Sequence, residues 1–438
     1  MKRVLITLAL LVTASAWADA QTLTLHNCLE KGLENNYSLR ISRNQEEVAH
    51  NNATLANAGY LPSIDLNAGY NADLANSDSK LRTTGETTEV RNSFDQSLNA
   101  GIGVSWTIFD GFKISTNYKQ LKELERMGEL NTRITLEDFI AGLTAEYYNF
   151  IHQKLRLANY YYAVKLSKER LRIVEERYNI GNFSRLDYQQ AKVDFNADSA
   201  QYIKQQEVVL TSRIALNEMM AIDEVYTPIE TNESTIVSDT TLQFGQLWEK
   251  MLANNAALLL ANRSNTLAEL DYKKVISRNY PYVRLNAGYD YTFNKYDTNS
   301  YTSRSNWGGS AGVTVGFNLW DGNRKRERRN AKIEIENAQL ERNRLELALK
   351  AELGNLWQAY RNNIQLLNLE KQNVITAREN HEIAKERYML GDISGIEMRE
   401  AQKSLLDAEQ RLLSVEYDTK LCEISLLQIT GEVTNYLK

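Results

Sequence analysis

The chain is written twice. Leu66-Asn67-Ala68-Gly69-Tyr70 returns as Leu285-Asn286-Ala287-Gly288-Tyr289, 219 positions on, and Pro62 returns at the same spacing as Pro281. Glu30-Lys31 with Asn35-Asn36 returns as Glu249-Lys250 with Asn254-Asn255. Further along, Phe109-Asp110-Gly111 matches Trp320-Asp321-Gly322 at an offset of 211, and Arg177-Tyr178 with Gly181 matches Arg387-Tyr388 with Gly391 at 210. The offset drops between the two strand motifs of each copy, which predicts a shorter loop in the second. A duplication of this length means one structural plan used twice in a single chain.

Each copy opens with a short helical stretch, 25–58 and then 243–277, followed by a proline and a run of strict alternation. Ile64, Leu66, Ala68 and Tyr70 oppose Asp65, Asn67, Gly69 and Asn71. Leu98, Ala100, Ile102, Val104, Trp106 and Ile108 oppose small or polar residues, as do Val283 to Phe293 and Ala311 to Leu319. Period 2 marks strands. Each run approaches the roughly 9–11 residues of a tilted membrane-spanning strand. One face is apolar, with Tyr70, Trp106, Tyr289 and Trp307 near the ends. The other is small and polar, as a wet lumen requires. The polar stretches 72–94 and 295–306 read as loops.

After each hairpin the period becomes helical and stays so, from Phe112 to Tyr178 and from Asn323 to Tyr388. The chain has only 3 prolines, so nothing interrupts helices that would each reach about 100 Å. Asp110 and Asp321 are expected to be their N-caps. Turns follow at Gly181 and Gly391, and return helices run to about Met220 and Thr430. The start of the chain reads as a secretory signal: Lys2 and Arg3, an apolar run from Val4 to Val12, and small residues around Ala18 and Ala20. The domain plan is therefore a signal segment, 1–20; a first repeat, 21–222, with a β-hairpin at 60–109 and a helical hairpin at 111–221; a linker, 223–241; a second repeat, 242–431, with hairpins at 280–320 and 322–431; and a tail, 432–438.

Four strands cannot close a barrel. An open sheet in lipid leaves two edges of unpaired amides and carbonyls, each costing several kcal/mol. The missing strands must come from other copies of the chain. Two copies give eight strands with a filled interior, and three give twelve with an open lumen. Cyclic closure makes the trimer natural. The fold class expected is mixed α and transmembrane β: a trimeric 12-stranded β-barrel, four strands per chain, continuous with a long 12-helix periplasmic α-barrel.

The order of these parts resembles the TolC family of outer membrane efflux proteins. The likeness rests on the duplication, the Tyr60-Leu61-Pro62 and Tyr280-Pro281 junctions, and the Phe/Trp-Asp-Gly junctions at Asp110-Gly111 and Asp321-Gly322. It rests also on the hairpin tips, Arg177-Tyr178-x-x-Gly181-x-x-Ser184-x-x-Asp187 and Arg387-Tyr388-x-x-Gly391-x-x-Ser394-x-x-Glu397. The resemblance implies an exit duct in the outer membrane, its helical tube in the periplasm, receiving cargo from an inner-membrane pump through a periplasmic adaptor. It implies that the tips contact the adaptor and pinch the tube shut, with Glu397 and Glu400 ringing the entrance. The same Ser394-x-x-Glu397 spacing is also a capping box, and both readings stand. The family's latch matches Asp187 and Tyr388, but its arginine falls at Ile393, leaving Arg185 or Arg399 as substitutes.

The formal charge of −5 and the lack of any basic tract argue against nucleic acid. His26, His50, His152 and His381 are scattered, and no catalytic, metal or cofactor arrangement is visible. Two other classes compete: a structural coiled-coil protein of the envelope, which needs no alternating strands, and a general diffusion porin, which needs no hairpin tips.

Overall fold

The computed structural model describes residues 23–231, 233, 235–298 and 301–437; the expected signal segment lies outside them. The duplication becomes a repeated list of elements. The first copy runs α1 (Leu25–Asn35), α2 (Tyr37–Asn52), α3 (Leu55–Ala58), β1 (Ser63–Lys80), β2 (Thr87–Asp110), α4 (Lys113–Asn179) and α5 (Arg185–Met219). The second runs α6 (Phe244–Asn254), α7 (Ala256–Ser277), β3 (Tyr282–Lys295), β4 (Ser303–Gly316), α8 (Arg324–Leu390) and α9 (Gly395–Ile429), followed by a 3-10 turn, Val433–Leu437. The long helices α4 and α8 are both 67 residues, and the return helices α5 and α9 are both 35. Among the described residues no helix is long and apolar enough to cross a membrane.

The chain forms two compact units. One comprises the chain up to Asn44, Leu130–Leu259 and the chain from Arg344 onward; the other comprises Gln45–Glu129 and Leu260–Asn343. The first unit holds two large cores, one centred on each repeat, with Ile424 of α9 and Val433 also entering the first. Leu29 of α1, Ile140, Leu143, Tyr147 and Phe150 of α4, and Leu216 of α5 pack together. The second core repeats the scheme, with Leu247 and Met251 of α6, Leu353 and Tyr360 of α8, and Leu426 of α9. Ile229 and Ile236 from the segment between the copies complete the first core.

The second unit holds one antiparallel sheet, in the order β1-β2-β3-β4. Its register lines up the apolar positions. Leu66 faces Ile102, Ile102 faces Tyr289, Val104 faces Ala287, and Leu285 faces Val313. The result is one continuous apolar face across four strands, and it is uncovered: Leu66 is 77% exposed and Val315 68%. The opposite face carries Asp65, Asn67, Gly101, Gly103, Asn286, Gly288 and Gly312. β1 pairs only with β2 and β4 only with β3, so among the described residues each leaves an edge unpaired.

The structure corrects three expectations. The polar stretch 72–94 is mostly strand, because β1 and β2 continue as a ladder to Lys80 and Thr87. Polar composition signalled water, not irregular backbone, and a hairpin ladder satisfies its own amides there. The shift in offset is accordingly a matter of strand length: 18 and 24 residues in the first hairpin against 14 and 14 in the second. The last residues expected in the fourth strand, Phe317 to Leu319, lie beyond its end at Gly316.

The third correction concerns the helix starts. Asp110 ends β2, and its two carboxylate oxygens accept the N–H of Ile114 at 3.0 and 3.1 Å, across the turn at Gly111 and Phe112. Asp321 accepts from Asn323 at 2.9 Å. Both serve free amides near a helix start, but from upstream of the cap position. Gly111 is held at φ +72, and a Cβ there would stand 2.2 Å from the Ser277 carbonyl oxygen, so only glycine fits this junction. Pro62 and Pro281 immediately precede β1 and β3, where a missing N–H costs nothing. Gly322 lies in the turn before α8, where a Cβ would stand 3.4 Å from the Trp320 ring.

Candidate functional site

The two hairpin tips explain their own motif. Gly181 and Gly391 take left-handed conformations at φ +83 and +86. Gly181 N–H donates to the Tyr178 carbonyl at 3.0 Å and Asn182 N–H to the Arg177 carbonyl at 2.9 Å. The second tip repeats both bonds, Gly391 to Tyr388 and Asp392 to Arg387. This pairing closes the carbonyl end of a long helix and suits glycine. Ser184 and Ser394 then cap the return helices. The Asp187 and Glu397 carboxylates reach back to the backbone N–H of their serines, at 3.1 and 2.7 Å. Each serine hydroxyl also donates to its carboxylate and accepts the N–H three residues on. The Arg-Tyr-x-x-Gly-x-x-Ser-x-x-acid pattern is therefore a stop, a turn and a start.

Glu397 is exposed, and the Ser394 backbone N–H, with the Ser394 hydroxyl second, holds its carboxyl below the usual carboxylate range. Glu400 is exposed and makes no hydrogen bond or ion pair among the described residues. Tyr388, in contrast to its counterpart, is buried at 3% exposure among Val174, Ala191 and Met398. Burial pushes its hydroxyl up from the ordinary tyrosine range, and that hydroxyl has no partner among the described residues. No hydrogen bond joins it to Asp187. Tyr178, at the same place in the first tip, is half-exposed and stacks flat on Tyr188, with centroids 5.5 Å apart.

Two arginines link the two helical hairpins: Arg177, which opens the first tip motif, and Arg399, one of the two substitutes expected for the latch arginine. Arg399 of α9 makes a two-pronged pair with Asp198 of α5, both bonds 2.7 Å. Arg177 of α4 donates to the Met389 carbonyl at 3.0 Å and lies 5.6 Å from the Tyr388 ring and 5.3 Å from the Phe183 ring. Inside the first hairpin, buried Arg170 pairs with Asp194. Arg185 is exposed and has no ion pair among the described residues, and Ile393 is packed with the tip's apolar cluster. A cavity of about 550 Å³ opens here, with Tyr388, Asp187, Arg170, Ile393, Arg399 and Glu400 in its wall. Asp194 and Asp198 stand one turn apart on α5, a signal the sequence carried without naming their arginines.

A model of the outer membrane efflux protein family matches residues 28–221 and 247–432, one match per copy of the repeat. The chain belongs to that family, and it is an outer membrane protein of the efflux-channel class with its helical part in the periplasm. The outer membrane protein TolC of Vibrio cholerae is 24% identical over 434 residues, covering 97% of this chain and 93% of that one. Among solved structures, VceC from Vibrio cholerae superposes with a TM-score of 0.75 at 17% identity, covering 95% of this chain and 98% of that one. The Campylobacter jejuni CmeC outer membrane channel gives 0.79 at 15%, covering 95% and 88%. The Neisseria gonorrhoeae MtrE channel, solved in its open state, gives 0.71 at 15%, covering 94% and 89%. These likenesses show the fold.

Proposed function

We propose that three copies of the chain close a 12-stranded barrel and a 12-helix tube, forming a passive exit duct from the periplasm to the exterior. The observation that carries this is the sheet. It has one uncovered apolar face, one small polar face and two unpaired edges. In lipid, such edges are stable only when neighbouring copies pair with them, and identical chains pair most simply around a closed axis. The small residues on the polar face leave room for water in a barrel of that size.

The tips are the duct's gate and its contact with a periplasmic adaptor, which couples it to an inner-membrane pump. Leu186 and Ile396, at equivalent places in the two return helices, are 77% and 76% exposed, an apolar pair suited to a protein partner. Three copies of Glu397 and Glu400 make a ring of six carboxylates that draws cations and resists anions. Arg399 with Asp198 takes the part of the arginine missing at Ile393, holding the two hairpins of one chain together. The chain acts as a conduit and carries out no chemical step.

The test is conductance in a planar lipid bilayer. The wild-type protein is expected to conduct and to prefer cations. A Glu397→Gln/Glu400→Gln variant is expected to lose most of that preference, and Arg399→Ala to raise the open probability. A protein that inserts without conducting, or whose ion preference ignores both glutamates, contradicts the reading.

A further inference from the structure

One histidine is placed where a titratable ring is out of keeping with its surroundings. His381 lies on α8 shortly before the tip glycine and is fully buried, at 0% exposure. Among the described residues neither ring nitrogen has a hydrogen-bond partner of good geometry, and Glu382 Oε1 stands 3.5 Å from Nδ1. At the equivalent position of the first long helix stands Leu171, which packs with the apolar cluster of the tips. The second hairpin thus carries a weak base where the same architecture elsewhere uses leucine.

A buried imidazole without a partner is tolerated when neutral and costly when charged. Burial holds its pKa below the ordinary histidine value; Glu382 opposes this, Lys385 adds to it and Glu409 opposes it. These are the charges that reach the ring: Glu382 and Lys385 from its own helix and Glu409 from α9. Glu382 and Glu409 also wall a cavity of about 330 Å³, together with Arg378, Leu405 and the uncharged Asn159 and Tyr162 of α4. Arg378 is committed to Glu409 at 2.9 Å. If the helices around the ring part, it meets water and regains its ordinary proton affinity. The closed arrangement therefore binds a proton more weakly than the open one, and acid favours the open one.

We propose that His381 makes closure of the periplasmic tip acid-sensitive, with protonation of the buried ring loosening α8 from its neighbours. This rests on the duct reading. The sign follows from the lowered affinity of the closed state. Closure is unaffected well above the ordinary histidine pKa of about 6.5. It weakens as the pH falls from there toward the lowered value, by at most about tenfold in the open-to-closed ratio per pH unit per site.

Full-length protein in lipid bilayers, wild type and His381→Leu, is compared at pH 7.5 and pH 5.0. The variants are expected to match at pH 7.5. At pH 5.0 the wild type is expected to have an open probability at least about threefold higher, within that tenfold-per-unit ceiling. Acid also acts on Glu397 and Glu400, so the comparison is between variants at one pH. Amide hydrogen exchange across residues 375–390 in the same samples supplies a readout that needs no conduction, and wild type is expected to exchange faster than His381→Leu only at pH 5.0. Equal exchange and equal open probability in both proteins at pH 5.0 overturn the proposal. Faster acid exchange in a protein that never conducts sinks the duct reading and leaves the histidine device supported. His381→Phe replaces the leucine variant if that one does not assemble.

Discussion

The two hairpin tips share a turn and differ in what they do with the same tyrosine. Both end a long helix on glycine and start the return helix with a capping box. Yet Tyr388 is swallowed by the core between the hairpins, whereas Tyr178 lies half in water on Tyr188. The neighbours differ in the same sense. Arg399 reaches across to Asp198, while the equivalent position in the first copy is Gln189 and that of Asp198 is Ala408. Duplication preserved the local backbone chemistry, which each tip needs to turn at all. It let the long-range contacts diverge, so the two hairpins of one chain make different contacts through equivalent positions.

The widest gap between the tips should appear on truncating the tyrosines. Tyr388→Ala empties a buried site and is expected to cost about 3 kcal/mol of local stability, read as faster amide exchange around the tips. Tyr178→Ala is expected to cost less than about 1 kcal/mol. Equal effects would break the comparison. Next comes the cross-hairpin pair. Arg399→Ala strands the mostly buried Asp198 carboxylate and is expected to cost about 1–2 kcal/mol by thermal unfolding, whereas Gln189→Ala should change stability by less than about 0.5 kcal/mol.

The capping serines should show the symmetry instead. Ser184→Ala and Ser394→Ala are each expected to cost about 1 kcal/mol, and a clear inequality between them would mean that the boxes are not equivalent. The Glu397 pKa is depressed in the folded state, so its share of the second box is present above the ordinary carboxylate range. It is lost as pH falls through the lowered value, and Ser394→Ala should remove that acid dependence. The smallest effect belongs to Tyr388→Phe. It deletes a buried hydroxyl without a partner and is expected to leave stability unchanged or to raise it by up to about 1 kcal/mol.

What could be read from the residues follows the range of the forces involved. The helices of 67 residues and the alternating strands are local periodicities, so their places were visible in the sequence. The tip motif was visible for the same reason, since every bond in it spans five residues or fewer. The polar end of the first hairpin was misjudged because Asn, Asp and Ser in water say nothing about whether the backbone pairs. The pair of Arg399 with Asp198 joins residues 201 apart, and no spacing rule predicts which distant helix an arginine will face. The burial of Tyr388 and His381 was hidden likewise, because it is fixed by packing among helices that the sequence does not order.

The central claim is that one chain is an incomplete wall. Native mass spectrometry of the protein released from lipid nanodiscs tests it most directly. Three copies per particle are predicted, held together until the surrounding lipid and detergent are stripped. A particle of one folded chain, stable in water with the apolar face of its sheet covered by its own helices, would contradict the account.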